Sequence, residues 1–125
     1  LCESLPFANF ARNTSMINWK NDINPEAPYY ANIFNYLLSD DLTGYQEMDE
    51  ITLNLVHKID GFLGYESHKS DGRGSFISYW RDKESIDEWR KDLIHQKAKM
   101  EGMKRWYKSY HSMLVKVESA HFHTL

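Results

Sequence analysis

The sequence contains one cysteine, Cys2, among 125 residues. One thiol forms neither an internal disulfide nor a cysteine-rich zinc site, so it indicates a reducing compartment, and we expect a cytoplasmic location. No apolar run approaches the roughly 20 residues of a membrane-spanning helix. The N-terminus lacks the basic stretch and the apolar core of roughly 7–15 residues that mark a secretory signal. The sequence therefore predicts no membrane partner.

A surplus of positive charge is also missing. The 15 Lys and Arg residues are outnumbered by 18 Asp and Glu residues, which leaves a net charge of −3. This balance argues against the broad cationic surface of a nucleic-acid-binding protein. The chain also lacks the Gly-x-Gly-x-x-Gly, Walker and Gly-x-Ser-x-Gly patterns, so nucleotide cofactors and serine hydrolysis have no support.

The chain is rich in aromatic residues, and its first 28 residues differ in composition from the rest. With 42% hydrophobic and 14% aromatic residues, the chain is too apolar for a disordered protein. All three prolines lie within residues 1–28, which show no helical or strand period and predict an extended or partly disordered arm. Met16 could be the natural start, with residues 1–15 an upstream extension. We expect one domain at 29–119 and a tail at 120–125.

Residues 29–119 alternate between strand and helix patterns. The predicted elements are a strand at 29–36, a helix after Thr43 with an apolar face of Met48, Ile51, Thr52 and Leu55, a strand at 62–69, a strand at 75–81, a helix capped by Asp82 and ending near Gly102, and a strand at 107–118. This order predicts an α+β, ferredoxin-like βαββαβ fold with a four-stranded antiparallel sheet.

Two helices can cover only one face of such a sheet. The other face would expose large apolar side chains, and a patch of that kind usually contacts a partner. A second copy packed face to face by two-fold symmetry would bury it. We therefore predict a homodimer through the open sheet face.

Several short segments, in this order, resemble the antibiotic biosynthesis monooxygenase (ABM) domain superfamily over about residues 29–119. They are Gly61–Ser67, Ser78-Tyr79-Trp80, a helix carrying Trp89 and His95, and Trp106-Tyr107 at the start of the last strand. The resemblance implies a dimeric α+β barrel with a ligand-sized cavity between sheet and helices in each subunit. The superfamily includes cofactor-free quinone-forming oxygenases, haem-degrading enzymes and many small proteins of unknown role.

Two side chains are candidates for catalysis. A neutral imidazole at His95 could accept a phenolic proton, because its unperturbed pKa is roughly 6.5. The alternative is a helix histidine bonded to a backbone carbonyl. An amide at Asn32 could donate to an oxyanion or to bound oxygen. Asn35 is three positions away and points to the opposite face, so only one of the two can face the cavity.

The other candidates would bind the substrate. Trp80 and Trp89 could stack on a planar molecule, although aromatic residues at these spacings more often form a core. Tyr65 and Tyr79 supply phenols, and Arg81 could hold an anion. His121-Phe122-His123 lacks a third ligand, so no metal site is predicted.

Three functions remain open from the sequence. The first is a cofactor-independent monooxygenase that acts on a small aromatic or quinol-like molecule and needs no metal or flavin. The second is a non-catalytic dimeric small-molecule-binding or stress-related accessory protein. The third, haem binding or degradation, is weaker. In haem-degrading relatives the iron-binding histidine follows the tryptophan by ten positions, and here Lys99 stands ten positions after Trp89.

Overall fold

The computed structural model describes residues 16–125, so Cys2 and the possible extension at residues 1–15 lie outside the described part. The elements are β1 (Asn18–Trp19), β2 (Tyr29–Leu38), α1 (Tyr45–Val56), β3 (Phe62–Ser70), β4 (Arg73–Trp80), α2 (Lys83–Lys91), α3 (Leu93–Glu101) and β5 (Tyr107–Val117). A 3-10 turn, Lys20–Asp22, follows β1, and a π-helical turn, Gly102–Trp106, precedes β5. Within residues 16–125, no helix combines the length and the hydrophobicity needed to cross a bilayer.

The sheet confirms the predicted fold class but not the number of strands. Its order is β1-β3-β4-β2-β5, and every neighbouring pair is antiparallel. The four long strands form the predicted ferredoxin-like arrangement, whereas the fifth strand, β1, was not expected. Asn18 and Trp19 pair with Tyr65 and Gly64 at the edge of β3, inside the segment predicted to be an arm. A strand of two residues shows no alternation, so the sequence pattern could not indicate it.

The second predicted helix is in fact two helices. Asp82 caps α2 as predicted, because its carboxylate accepts a hydrogen bond from the Ser85 amide at 2.9 Å. The helix is then interrupted at Asp92, whose backbone is extended and whose carboxylate caps α3. An aspartate side chain that accepts hydrogen bonds from the following amides competes with a continuing helix. The helical conformation therefore ends at this residue and starts again after it.

Helix α1 packs with most of its predicted apolar face: Met48, Thr52 and Leu55 are half-buried, whereas Ile51 is 46% exposed. The packed face also includes Val56, which is buried, and Leu53, which packs against the core. The helix begins at Tyr45 after Gly44, with no side-chain cap from Thr43. Tyr45 packs on Trp106 with ring centroids 5.6 Å apart, which holds the start of the helix against the turn before β5.

The sheet has a helix-side face and an open face. Tyr30, Asn32, Phe34 and Tyr36 of β2 share the helix-side face with their partners Trp80, Ser78, Phe76 and Gly74 of β4. At one end of this face lies the anchor cluster, in which Trp80 and Phe62 are each 1% exposed. The anchor cluster consists of Val56, Ile59, Phe62, Trp80 and Ile86.

The open face is covered at one end by the same chain. The Trp19 ring lies 6.1 Å from Tyr29, 5.1 Å from Tyr79 and 6.2 Å from Phe122. Phe122 belongs to the segment predicted to be a tail, and here it packs edge-on against Trp19. On β5, Met113 shares the open face and is 44% exposed.

Strand β1 depends on the absence of a side chain at Gly64. A Cβ atom there would lie 2.7 Å from the Asn18 carbonyl oxygen and 2.9 Å from the Trp19 Cα. Gly64→Ala should therefore displace β1 and lower the free energy of unfolding by about 1–3 kcal/mol, the usual cost of overpacking. Urea unfolding and NOEs between the Trp19 and Tyr79 rings would measure both effects. Ser67→Ala, at an exposed position of the same strand, is the control; intact NOEs and unchanged stability in Gly64→Ala would contradict the prediction.

Candidate functional site

At its other end, the helix-side face carries a second cluster, which consists of aromatic side chains. Neighbouring rings in this cluster have centroids 5.2–6.2 Å apart, and Trp106 Nε1 donates to the Thr43 carbonyl at 2.8 Å. This hydrogen bond ties the loop before α1 to the start of β5. We call this group the aromatic cluster; it consists of Phe34, Tyr36, Tyr45, Trp106, Tyr107 and Tyr110.

Polar side chains lie on the sheet between the two hydrophobic clusters. Asn32 pairs with Ser78 across β2 and β4, and the Ser112 hydroxyl of β5 donates to Asn32 Oδ1 at 3.1 Å. The Ser78 hydroxyl accepts a hydrogen bond from Trp80 Nε1 at 2.9 Å. We call Asn32, Ser78 and Ser112 the polar belt. Since the Ser112 hydroxyl donates to Oδ1, the donor of the Asn32 amide is its Nδ2 group.

His95 lies on α3 with its ring held on two sides. Its Nδ1 atom is 3.2 Å from the Trp89 carbonyl oxygen, and its ring stacks on Trp89 with centroids 4.4 Å apart and planes inclined by 19°. A carbonyl oxygen only accepts, so Nδ1 carries the proton and Nε2 keeps a lone pair. This is the backbone-bonded alternative considered from the sequence, yet it leaves Nε2 able to take a proton.

The environment of His95 favours the neutral ring. Burial lowers the pKa of His95 below 6.5, and the nearby Lys99 and Arg90 act in the same direction. The Trp89 carbonyl and the Asp92 carboxylate oppose this shift. At neutral pH the imidazole is therefore uncharged, as a general base must be before it accepts a proton.

The predicted aromatic residues have different surroundings. Trp89 is partly buried and packs against the anchor cluster, with one side against His95. Trp80 lies inside the anchor cluster, so its ring is a core element and not a stacking surface. Tyr65 is partly buried on the helix-side face and stacks on Phe76 at 5.6 Å. Of these three, Trp89 and Tyr65 are partly buried and lie on the helix side of the sheet.

Tyr79 and Arg81 lie away from the other predicted residues. Tyr79 lies on the open face, where its hydroxyl donates to Glu66 Oε2 at 2.5 Å and burial raises its pKa. Arg81 is exposed and pairs with Asp60 and Asp82 at 2.9 and 3.0 Å. The structure thus groups Asn32 and Tyr65 on one side of the sheet with the helices that carry Trp89 and His95, and it separates Tyr79 and Arg81 from them.

Three polar groups at the aromatic cluster were not predicted from the sequence: the phenols of Tyr45 and Tyr107 and the carboxylate of Asp49. Burial and a hydrogen bond with Tyr36 raise the pKa of Tyr45, and burial raises the pKa of Tyr107. Asp49, one helical turn after Tyr45, is near both phenols, and partial desolvation raises the pKa of its half-exposed carboxyl group. Its carboxylate is 3.9 Å from Lys69 Nζ. The spacing of Tyr45 and Asp49 at i and i+4 was the available signal.

A cavity of about 210 Å³ lies at the β1 edge, apart from the polar belt. The Lys20 ammonium group at this cavity already donates a hydrogen bond to the Ile59 carbonyl at 3.0 Å. None of the residues predicted for the site lies on this cavity, whose lining is Lys20, Asn21, Ile23, Pro25, Asp60, Phe62 and Leu63.

Two comparisons with known sequences give matches to this chain. The sequence model of the family "Antibiotic biosynthesis monooxygenase" matches residues 46–101. The chain is also 44% identical over 95 residues to the uncharacterized protein YqjZ of Bacillus subtilis (strain 168), a match that covers 75% of this chain and 83% of YqjZ. The chain belongs to the antibiotic biosynthesis monooxygenase family.

Solved structures of similar fold agree with this family. Protein SO0527 from Shewanella oneidensis matches with a TM-score of 0.65 and 17% identity, covering 78% of this chain and 97% of that one. SnoaB, a cofactor-independent oxygenase from Streptomyces nogalater, matches with a TM-score of 0.64 and 8% identity, covering 75% and 97%. At these identities the likeness concerns the fold.

The lowered pKa of His95 has a measurable effect on stability. Between the unfolded-state pKa and the lower folded-state pKa, the unfolded chain binds more protons, so the free energy of unfolding should fall as the pH drops below 6.5. NMR titration of the His95 ring, with urea unfolding at several pH values, would measure this. His95→Gln should lose that part of the pH dependence. A His95 midpoint at or above 6.5 would contradict the assignment.

Proposed function

We propose that this protein is a cofactor-independent monooxygenase that acts on a small aromatic or quinol-like molecule bound between the sheet and the helices. The observation that carries the proposal is the His95 imidazole, which is neutral, bonded through Nδ1 to Trp89 and left with Nε2 as a proton acceptor. Membership in the family and the similarity in fold to SnoaB, a cofactor-independent oxygenase, support it.

The polar belt supplies the second part of the chemistry. Asn32 Nδ2 can donate to an oxyanion that forms when a phenolic or benzylic proton leaves the substrate. The anchor and aromatic clusters flank this belt with apolar side chains, which favour a planar substrate over water. Trp89 and Tyr65 would form the walls of the site, since their rings lie on this side of the sheet.

The reaction balances without a further reductant. His95 takes a proton from a CH₂ group between aromatic rings, as in an anthrone, and the carbanion gives two electrons to O₂ to form a C–O bond. The protonated His95 returns its proton to the peroxide oxygen. Loss of water then leaves a carbonyl, so one oxygen atom enters the product and the other leaves as water.

Purified protein should convert anthrone-type substrates to the quinone under air, as followed by absorbance and by O₂ uptake. His95→Ala should lower turnover about 10²–10⁴-fold, the usual contribution of a general base. Asn32→Ala should lower it about 10²–10³-fold, as loss of one oxyanion donor does. The matched control is His123→Ala, at an exposed position near the C-terminus, which should leave turnover unchanged.

The same assay separates the alternatives. Saturable binding without turnover would favour the non-catalytic small-molecule-binding protein. A shift of the Soret band when haemin is added would favour haem binding. Equal turnover by His95→Ala and the parent protein would contradict the role of His95.

We further propose that the protein is a homodimer that pairs through the open face. Strand β5 is 11 residues long and lies at the edge of the sheet. On the open face its Met113 is 44% exposed, and Ile33, Ile77 and Val115 on the same face are half-buried. An apolar patch of this kind on a sheet face usually contacts a partner. Trp19 and Phe122 already occupy one end of the face, so the second copy would bury the end near Met113.

Sedimentation equilibrium at micromolar concentration should give twice the chain mass of 14.8 kDa. Met113→Glu should weaken the dimer at least about tenfold, because a buried charge would need a partner. Met103→Glu places the same charge at another exposed methionine, 61% exposed on the π-helical turn, and should leave the dimer intact. A stable monomer of the parent protein would contradict pairing through the open face.

A further inference from the structure

The helix break at Asp92 brings Trp89 and His95 together. In one continuous α-helix, residues six apart are separated by about 9 Å along the axis and by one and two-thirds turns. The ring centroids of Trp89 and His95 are 4.4 Å apart, a distance that an unbroken helix would not allow. The extended backbone of Asp92, with φ −63° and ψ 127°, redirects the chain and makes this stack possible.

Asp92 stabilises the break from both sides. Its Oδ1 atom accepts hydrogen bonds from the amides of Ile94 at 2.9 Å and His95 at 3.1 Å, which caps the start of α3. Its own amide donates to the Trp89 carbonyl at 3.1 Å and closes the end of α2. The same residue therefore fixes the backbone of His95 and the carbonyl that His95 uses.

The break also frees the acceptor for the imidazole. In a continuous helix the Trp89 carbonyl would accept from the amide four residues later, at Leu93. Here it accepts from the Asp92 amide and from His95 Nδ1. Because the carbonyl binds Nδ1–H, the lone pair of the neutral ring is on Nε2.

We infer that Asp92 is a positioning residue for His95: by maintaining the helix break, it holds the ring in the Nδ1–H tautomer and leaves Nε2 free to accept a proton. The catalytic meaning of this inference rests on the proposed function, whereas the tautomer itself does not. Asp92 acts here through its hydrogen bonds to Ile94 and His95, and it has no need to touch the substrate.

The charged neighbours of His95 are Asp92, Arg90 and Lys99. The Asp92 carboxylate raises the pKa of His95, whereas Lys99 and Arg90 lower it, and desolvation outweighs the rest. Asp92→Asn keeps an oxygen acceptor for the two amides but removes the charge, so it separates the hydrogen bonds from the electrostatic effect. Asp92→Ala removes both.

The test is ¹⁵N NMR of the histidine ring nitrogens in the full-length protein. The parent and Asp92→Asn should show Nδ1 protonated and Nε2 unprotonated for His95. Asp92→Ala should populate the Nε2–H tautomer. Asp82→Ala is the matched control, because it removes the N-cap of α2 and should lower thermal stability similarly without changing the His95 tautomer.

An unchanged His95 tautomer in Asp92→Ala would overturn the inference, and so would an equal change in Asp82→Ala. Where the parent turns over substrate, Asp92→Ala should lower kcat at least tenfold with KM nearly unchanged, and Asp92→Asn should restore most of it. If the tautomer changes as expected but no variant or parent shows turnover, the positioning of His95 stands and the proposed monooxygenase function fails. If Asp92→Ala does not fold, loss of the Nδ1–H tautomer in Asp92→Asn decides against the role of the hydrogen bonds.

Discussion

The packing of Trp80 and Phe62 beneath Val56 and Ile86 is the constraint on which the helix-side face depends. It joins β3 and β4 to α1 and α2 at one end of the sheet. A buried tryptophan removes roughly 150–250 Å² from water, and each Å² contributes about 25 cal/mol. Helix α1 is also held at the aromatic cluster, through the contact of Tyr45 with Trp106. The polar belt lies between these two apolar clusters, an arrangement typical of small-molecule sites with a few oriented polar groups.

Asp82 and Asp92 each cap the start of a helix, but the two caps have different consequences for the fold. Asp82 caps α2 where β4 ends, at a place where the chain must turn in any case. Asp92 caps α3 in the middle of what could have been one helix. The hydrogen bonds lost at a mid-helix break are a cost, and they are recovered only in part by the cap and by the His95 contact to Trp89. The break at Asp92 thus sets the orientation of the His95 imidazole, the group proposed to accept the proton.

The sequence predicted the sheet well because strand alternation is a local property. Phe76, Ser78 and Trp80 share a face as their spacing requires, and Asp82 precedes its helix with a favourable first turn. The same alternation places Tyr79 and Trp80 on opposite faces of the sheet, although both were named from the sequence as substrate-binding candidates. Strand β1 and the break at Asp92 were not predictable in this way. A two-residue strand has no period, and an aspartate within a charged helical pattern also fits a solvent-exposed helix position.

Strand β5 contributes side chains to both faces of the sheet. Ser112 reaches Asn32 on the helix-side face, while its neighbour Met113 lies exposed on the open face. The pleat links these side chains rigidly, because successive residues of a strand cannot rotate independently without losing their backbone pairing with β2. A partner that packs on Met113 would therefore restrain the strand that positions Ser112. In this fold the proposed dimer and the proposed site share strand β5, so we expect a change in one to reach the other through the backbone of that strand.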